Sequence, residues 1–368
     1  MRRLFVIGWF AALSACVDAP VHIPPDLGGP TSSGGGESGE SGESGESGDG
    51  DPGDGDGDGD PGDGDGAPGD GDGDPSGFGS PVTTQVFAFT DLQLADLDGD
   101  GCADLVLAGS GAPPRVNIYP SACDGSFAGP AITHTLNSFE GFTLGDLDGD
   151  GRADLIMRGT GQPPRLEARL STPDFGLGPV VTTAVFSYDL LWAIDLTGDG
   201  RAELLTHELG ASPPTVFSWS AAGDQTFVAL ASSEVGSFDA AAVGFINGDG
   251  FGDLLTGLGS VPVVNPWLGQ GDGSFSSAPL VWPFSFSILT LADLDGDGRA
   301  ELLTDVPGND WRVTIYANTG SGFAQTPTEL AAVSYTRLRG ADVDGDGDDD
   351  LVITPTGAPP RVMVWPSQ

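Results

Sequence analysis

The chain has 368 residues, with 54 acids against 13 bases and a formal net charge of −41. So strong an acidic excess excludes electrostatic attraction to nucleic acid or anionic lipid, and its natural counterions are cations. Every base is an arginine, and three histidines leave little material for general acid-base catalysis, so a binder is expected before an enzyme.

The N-terminal MRRLFVIGWFAALSAC carries two arginines, an apolar run from Leu4 to Leu13 and small residues ending at Cys16. This is the layout of an export signal, too short to span a bilayer. Leu13, Ser14, Ala15 and Cys16 also resemble the bacterial lipobox. That resemblance implies that residues 1–15 are removed and that Cys16 is lipidated, leaving the protein exported and anchored to a bacterial membrane, facing the cell surface. An ordinary secretory signal with a chance cysteine is the alternative.

Residues 16–80 have almost nothing to bury. Between residues 30 and 80 there are fifteen acids, no base and a single aromatic, Phe78. Such a stretch cannot offset the entropy cost of ordering it, and like charges extend it, so it is expected to be a disordered acidic tether. Its Asp-Gly run, GDGDGDGDPGDGDG from residue 53, has no flanking strand to fix ligand geometry, and only diffuse cation binding is expected of it.

From residue 81 the chain repeats. ADLDGDGCADL begins at Ala95, GDLDGDGRADL at Gly145, IDLTGDGRAEL at Ile194, GFINGDGFGDL at Gly244, ADLDGDGRAEL at Ala292 and ADVDGDGDDDL at Ala341. The first ligand positions, 96, 146, 195, 245, 293 and 342, are 48 to 50 residues apart. Each loop is followed by an apolar run, a Gly/Pro turn, a second run such as RVNIY or RVMVW, a Gly-rich turn and a further strand-like segment. About four short strands per unit, six times over, predict an all-β chain folded as a six-bladed β-propeller of four-stranded blades. The last unit stops after its third strand, and PVTTQVFAF precedes the first, so the N-terminal strand is expected to complete the sixth blade.

The six D-x-D-G-D-G-x-x-[DE]-L loops, the GAP tripeptides at Gly111 and Gly357, and GDGSF at Gly271 resemble the FG-GAP and VCBS repeats, including those of integrin alpha chains. The resemblance covers residues 81–368. It departs in having six units rather than the seven of integrins, and in the missing acid at the start of the fourth loop.

Calcium takes six to eight oxygens, and aspartates at alternate positions converge on one ion when intervening glycines let the backbone curl. The first loop offers Asp96, Asp98, Asp100 and Asp104; the second Asp146, Asp148, Asp150 and Asp154; the fifth Asp293, Asp295, Asp297 and Glu301; the sixth Asp342, Asp344, Asp346 and Asp350. The third has Asp195, Thr197, Asp199 and Glu203, while the fourth, with Phe245 in first place, keeps Asn247, Asp249 and Asp253 and is expected to be weakest. The resemblance adds the seventh-position carbonyls of Cys102, Arg152, Arg201, Phe251, Arg299 and Asp348. About five or six structural calcium ions are implied, with no catalytic residue. The alternative is a turn that uses Asp and Gly for backbone geometry alone.

Cys102 and Cys123, in one unit of an exported chain, are expected to form a disulfide, with two free thiols the alternative. His22, His134 and His207 match no nucleophile or zinc pattern. Tyr119, Trp219, Trp267, Tyr316 and Trp365 recur late in the third strand, with Arg169 breaking the series; packing between blades is favoured over a ring that stacks sugars. Arg115, Arg165 and Arg361 follow Pro-Pro turns and could mark a recognition rim. The function expected is a surface-anchored, calcium-binding, non-enzymatic module for protein or polysaccharide, monomer favoured, touching a membrane only through its lipid. The alternatives are a lectin with sugar pockets between blades or, less favoured, a polysaccharide-acting enzyme.

Overall fold

The computed structural model describes residues 77–208, 210–258, 263–278, 282–283, 286–306 and 309–368. The export signal, Cys16, His22 and nearly all of the acidic tether lie outside the described residues.

The described residues form a six-bladed propeller of antiparallel blades. The first blade runs outward through β2 (Phe89–Ala95), β3 (Asp104–Gly109), β4 (Arg115–Tyr119) and β5 (Ile132–Thr135), after the short β1 (Val82–Gln85). The second has β6 (Phe139–Gly145), β7 (Asp154–Gly159), β8 (Arg165–Arg169) and β9 (Val181–Ala184), and the third β10 (Tyr188–Ile194), β11 (Glu203–Glu208), β12 (Thr215–Ala221) and β13 (Phe227–Glu234). The fourth comprises β14 (Ala240–Gly244), β15 (Asp253–Leu258), β16 (Val263–Gly269), β17 (Phe275–Ser277) and β18 (Trp282–Pro283); the fifth β19 (Leu289–Ala292), β20 (Glu301–Val306), β21 (Asn309–Tyr316) and β22 (Thr328–Ala331). The sixth is β23 (Tyr335–Ala341), β24 (Asp350–Pro355) and β25 (Arg361–Trp365), completed on its outer side by β1, which pairs Val82 with Val364 and Gln85 with Arg361. The two ends of the described chain thus share one blade and close the ring.

Burial follows strand position. The second strand of a blade is covered on both faces by neighbouring blades, so LVL, LIM and LLT read as unbroken apolar runs; Leu105, Leu107, Leu155, Ile156, Leu204 and Leu205 are all buried. Outer strands have one wet face, and VTTQ, ITHT and VTTA alternate accordingly. The core is a set of apolar clusters between blades: Val106 and Ile118 of the first blade pack with Phe142 and Leu155 of the second. Full burial of each such side chain contributes about 1.5–3 kcal/mol. The fourth blade's outer strand is broken where Pro266 accepts a bond from the Ala278 N–H but has no N–H to return; β17 stops at Ser277.

Because strands alternate in direction, the loops after first strands and the turns after third strands share one face. Pro-Pro turns lie on the other.

Candidate metal centres

Each acidic loop joins the first strand of a blade to the second, and most of its acids serve the backbone. At position 1, Asp96 accepts the Gly99 and Gly101 N–H groups at 2.6 and 2.8 Å; Asp146, Asp195 and Asp342 repeat the pattern. At position 5 the carboxylates of Asp100, Asp150, Asp199, Asp249, Asp297 and Asp346 each accept the N–H two residues on, at 2.9 to 3.0 Å. The sixth-position glycines, among them Gly101 and Gly347, have φ of 92° and 98°, a region that a side chain would strain.

The ninth position does most. Asp104, buried, accepts Leu97 N–H and Ser121 N–H, one on each oxygen, both at 2.8 Å. Asp154, Asp253, Glu301 and Asp350 make the same two bonds, to the second loop residue and to the chain leaving the third strand. Glu203 accepts Leu196 N–H at 2.9 Å. Burial raises these carboxyls: Asp104, Glu203 and Glu301 to about 7, and Asp154, Asp253 and Asp350 to about 6, against the pull of the N–H groups.

What remains is suited to a cation. Ligand oxygens converge within 4.8 Å of one another in Asp96, Asp98 and Asp104; in Asp146, Asp148 and Asp154; in Asp293, Asp295 and Asp297; and in Asp342, Asp344 and Asp350. Within them, Asp148 Oδ1, Asp293 Oδ1 and Asp344 Oδ1 are buried and accept no hydrogen bond. An orphaned carboxylate oxygen beside two other carboxylates costs free energy that a hard cation would recover, so the residues fit calcium or a similar ion. The third and fourth loops bring no such triple together among the described residues. Thr197 instead donates to Glu203 at 3.5 Å, and Asn247 Nδ2 donates to Asp249 at 2.7 Å. Asp100, Asp150, Glu301 and Asp346, expected to join the ligand sets, stand outside the converging triples. Asp150 pairs with Arg152, as Asp297 does with Arg299, and Asp100 Oδ2 lies beside the Cys123 sulfur.

The loops are also linked to one another, which no single motif discloses. The position-8 N–H of each loop donates to the position-1 carbonyl of the preceding one: Ala153 to Asp96, Ala202 to Asp146, Gly252 to Asp195, Ala300 to Phe245, Asp349 to Asp293 and, closing the circle, Ala103 to Asp342, all at 2.6 or 2.7 Å. The seventh side chain covers the preceding loop's fourth-position glycine. A Cβ at Gly99 would meet Arg152 at 3.3 Å, at Gly149 Arg201 at 3.0 Å, at Gly198 Phe251 at 2.9 Å, at Gly248 Arg299 at 3.2 Å, and at Gly345 Cys102 at 2.8 Å. Above Gly296 the covering residue is the acid Asp348. Asp349 Oδ2 further accepts Asp293 N–H at 2.9 Å, a contact that sequence reasoning missed. The available signal was the small residue at position 8 in the other five loops.

Cys102 and Cys123 form a disulfide, Cα to Cα 5.6 Å, tying the first loop to the turn after β4. The recurring aromatics are packed rather than displayed. Tyr119, Trp219 and Trp365 are buried; Trp219 and Trp267 donate to Thr206 and Thr256 at 2.9 Å, and the Tyr119 hydroxyl accepts Phe87 N–H at 2.8 Å. His134 Nε2 lies 2.8 Å from the Phe175 carbonyl, and His207 Nδ1 2.8 Å from Asp189. Two rim arginines are engaged at home: Arg115 donates to Ser110 O at 3.0 Å, and Arg165 Nε to the buried Glu167 at 2.7 Å.

Residues 96–157 match the sequence model of the FG-GAP-like repeat. The protein is a six-bladed propeller in which residues 96–157 match an FG-GAP-like repeat. The propeller is similar in fold to two solved structures, among others. The Tc holotoxin pore of Photorhabdus luminescens is 22% identical, with a TM-score of 0.52 over 77% of this chain and 14% of that one. AofleA from Arthrobotrys oligospora is 10% identical, with a TM-score of 0.53 over 78% of this chain and 87% of that one. The chain thus spans a small part of the holotoxin chain. No curated protein matches it.

Proposed function

We propose that this FG-GAP-like propeller is an exported, lipid-anchored, non-enzymatic binding module for a protein or polysaccharide, with calcium as a structural ion. The observation that carries this reading is the closed circle of six loops, each hydrogen-bonded to the next. Cations held there would stabilise the ring as a whole and leave the opposite face to a partner. Asp96, Asp98 and Asp104, the corresponding triples of the second and sixth loops, and Asp293, Asp295 and Asp297 of the fifth would hold the ions. Bound calcium supplies positive charge that relieves carboxylate repulsion. A non-enzymatic role is supported by the commitment of the loop acids to backbone N–H groups, which leaves them poorly placed for proton transfer. Membrane attachment rests on the lipobox resemblance.

The test is calorimetric melting of the full chain in chelator and in graded calcium, with equilibrium dialysis for stoichiometry. Four sites, each at a calcium concentration of about 100 Kd, give about 2.7 kcal/mol apiece and about 11 kcal/mol together. A binding number near four with a large upward shift in Tm supports the reading; identical melting in chelator and calcium refutes it.

A further inference from the structure

Among the described residues, the large apolar side chains most exposed to solvent are Phe87, Val228, Leu230 and Phe245, and three of these four belong to the third and fourth blades. Single exposed apolar residues are ordinary, but a contiguous strip rimmed by polar groups marks a surface that another molecule covers.

The strip is built on the loop face. It starts in the fourth acidic loop, where Phe245 holds the first position, 36% exposed, and Phe251 the seventh. The Phe251 ring lies over two glycines: a Cβ at Gly198 of the third loop would meet it at 2.9 Å, and one at Gly271, in the turn after β16, at 2.8 Å. Two residues along that turn, Gly273 carries Leu230 in the same way, at 2.5 Å. Leu230 comes from β13, the outer strand of the third blade, where Ser218 pairs with Ala231 and Trp219 with Ala229. It is therefore the extra residue of a β-bulge, which turns its side chain out of the strand's alternation and onto the neighbouring blade. Leu230 is 40% exposed and Val228, two residues before it, 56%. The fold does not demand apolar residues there, since the exposed outer-strand positions of the first, second and sixth blades hold Thr133, Thr182 and Thr83.

The rim is acidic. Asp199, Asp224, Asp249 and Asp272 are exposed on the same face of the third and fourth blades, Asp272 between the two covered glycines. No lysine or arginine occurs between Arg201 and Arg299, and Arg201 is turned away onto Gly149 of the second loop. The third and fourth loops bring no carboxylate triple together among the described residues, so cations in the other four would leave this sector its negative charge. An apolar strip in such a rim fits a cationic amphipathic segment, whose large side chains cover the strip while flanking lysines or arginines meet the acids. Anionic lipid and acidic glycan are repelled by the same charges.

We infer that the loop face of the third and fourth blades docks a basic amphipathic segment of a partner protein, its apolar side chains on Phe251, Leu230 and Val228 and its cations on Asp224, Asp249 and Asp272. This surface is additional to the opposite face and does not rest on the occupancy of the metal loops.

Isothermal titration of the full chain with acetyl-KFKLKFK-amide, run in calcium at about 0.15 M salt, tests this. The peptide acetyl-KSKSKSK-amide reports attraction to acid alone, residues 30–80 included, and acetyl-EFELEFE-amide reports apolar contact alone. The first is expected to bind with a Kd below about 100 μM and the other two at least about tenfold more weakly. Val228→Ser with Leu230→Ser should weaken it at least about tenfold, and Asp224→Asn with Asp272→Asn at least about threefold. Since Leu230 packs on Gly273, Val228→Ser alone keeps the test open if the double variant melts early, and should cost about threefold. Phe87→Ser with Asp124→Asn, an exposed ring elsewhere and the matching turn acid of the first blade, should change nothing. Equal binding of acetyl-KSKSKSK-amide, unchanged binding in Val228→Ser, or an equal loss in the Phe87 and Asp124 control overturns the proposal.

Discussion

Truncating two acids of the second loop separates the ion-holding part of the structure from the backbone-holding part. Asp154 accepts Leu147 N–H at 2.9 Å and Ser171 N–H at 2.8 Å, and it is 1% exposed. Asp154→Ala leaves two buried donors unpaired at about 1–3 kcal/mol each, or about 2–6 kcal/mol together. At ~2 °C per kcal/mol for a domain of this size, the loss in Tm is about 4–12 °C, and it is present in chelator. Asp148 differs because its Oδ1 is buried without a hydrogen-bond partner and its charge helps to raise the Asp154 pKa. Asp148→Ala is therefore neutral or slightly stabilising in chelator. In calcium at about 100 Kd it forfeits one site's linkage, about 2.7 kcal/mol or ~5 °C. Differential scanning calorimetry of both variants with and without calcium decides the matter. Parental melting of Asp154→Ala in chelator, or equal destabilisation by Asp148→Ala with and without calcium, would refute the division of labour.

Without calcium, stability should fall as pH rises from about 5 to 7.5. The ninth-position acids have folded pKa values of about 6 to 7, above their unfolded values, so the folded state binds more protons across that window and the advantage is lost as they ionise. Calcium should flatten the profile, and a pH series of melts in chelator and in calcium measures both slopes. Cys123→Ser, which opens a disulfide of sequence separation 21, should lower stability by about 3 kcal/mol in urea unfolding and leave the number of bound calcium ions unchanged. Arg165→Ser should cost about 2 kcal/mol by stranding Glu167, which is 2% exposed, whereas Arg361→Ser should leave the urea midpoint unmoved. This corrects the simplest reading of the Pro-Pro-Arg rim, on which all three arginines are spare for a partner.

By itself the sequence determined the period, the blade number, the β1–β25 closure and the place of every acidic loop, because strand pattern and turn chemistry are written in neighbouring residues. It also ranked the loops, since a loop beginning with Phe245 lacks the acid that caps Gly99 and Gly101 elsewhere. Two readings of the loops, ion site or Asp-Gly turn, competed on sequence; in the structure the same carboxylates make the turns and, in four loops, leave oxygens converging. Tertiary structure alone decided the rest. The bonds from Ala153 to Asp96 and from Ala103 to Asp342 join residues in different blades, and their length depends on how blades meet around the axis. The axial cavity that the innermost strands enclose has the same origin. Gln93, Trp192 and Arg339 belong to different repeats, and only the closing of six blades into a ring brings them around one cavity. A repeat encodes its own turns locally; the ring angle, a property of all the interfaces together, places one repeat's side chains against the next.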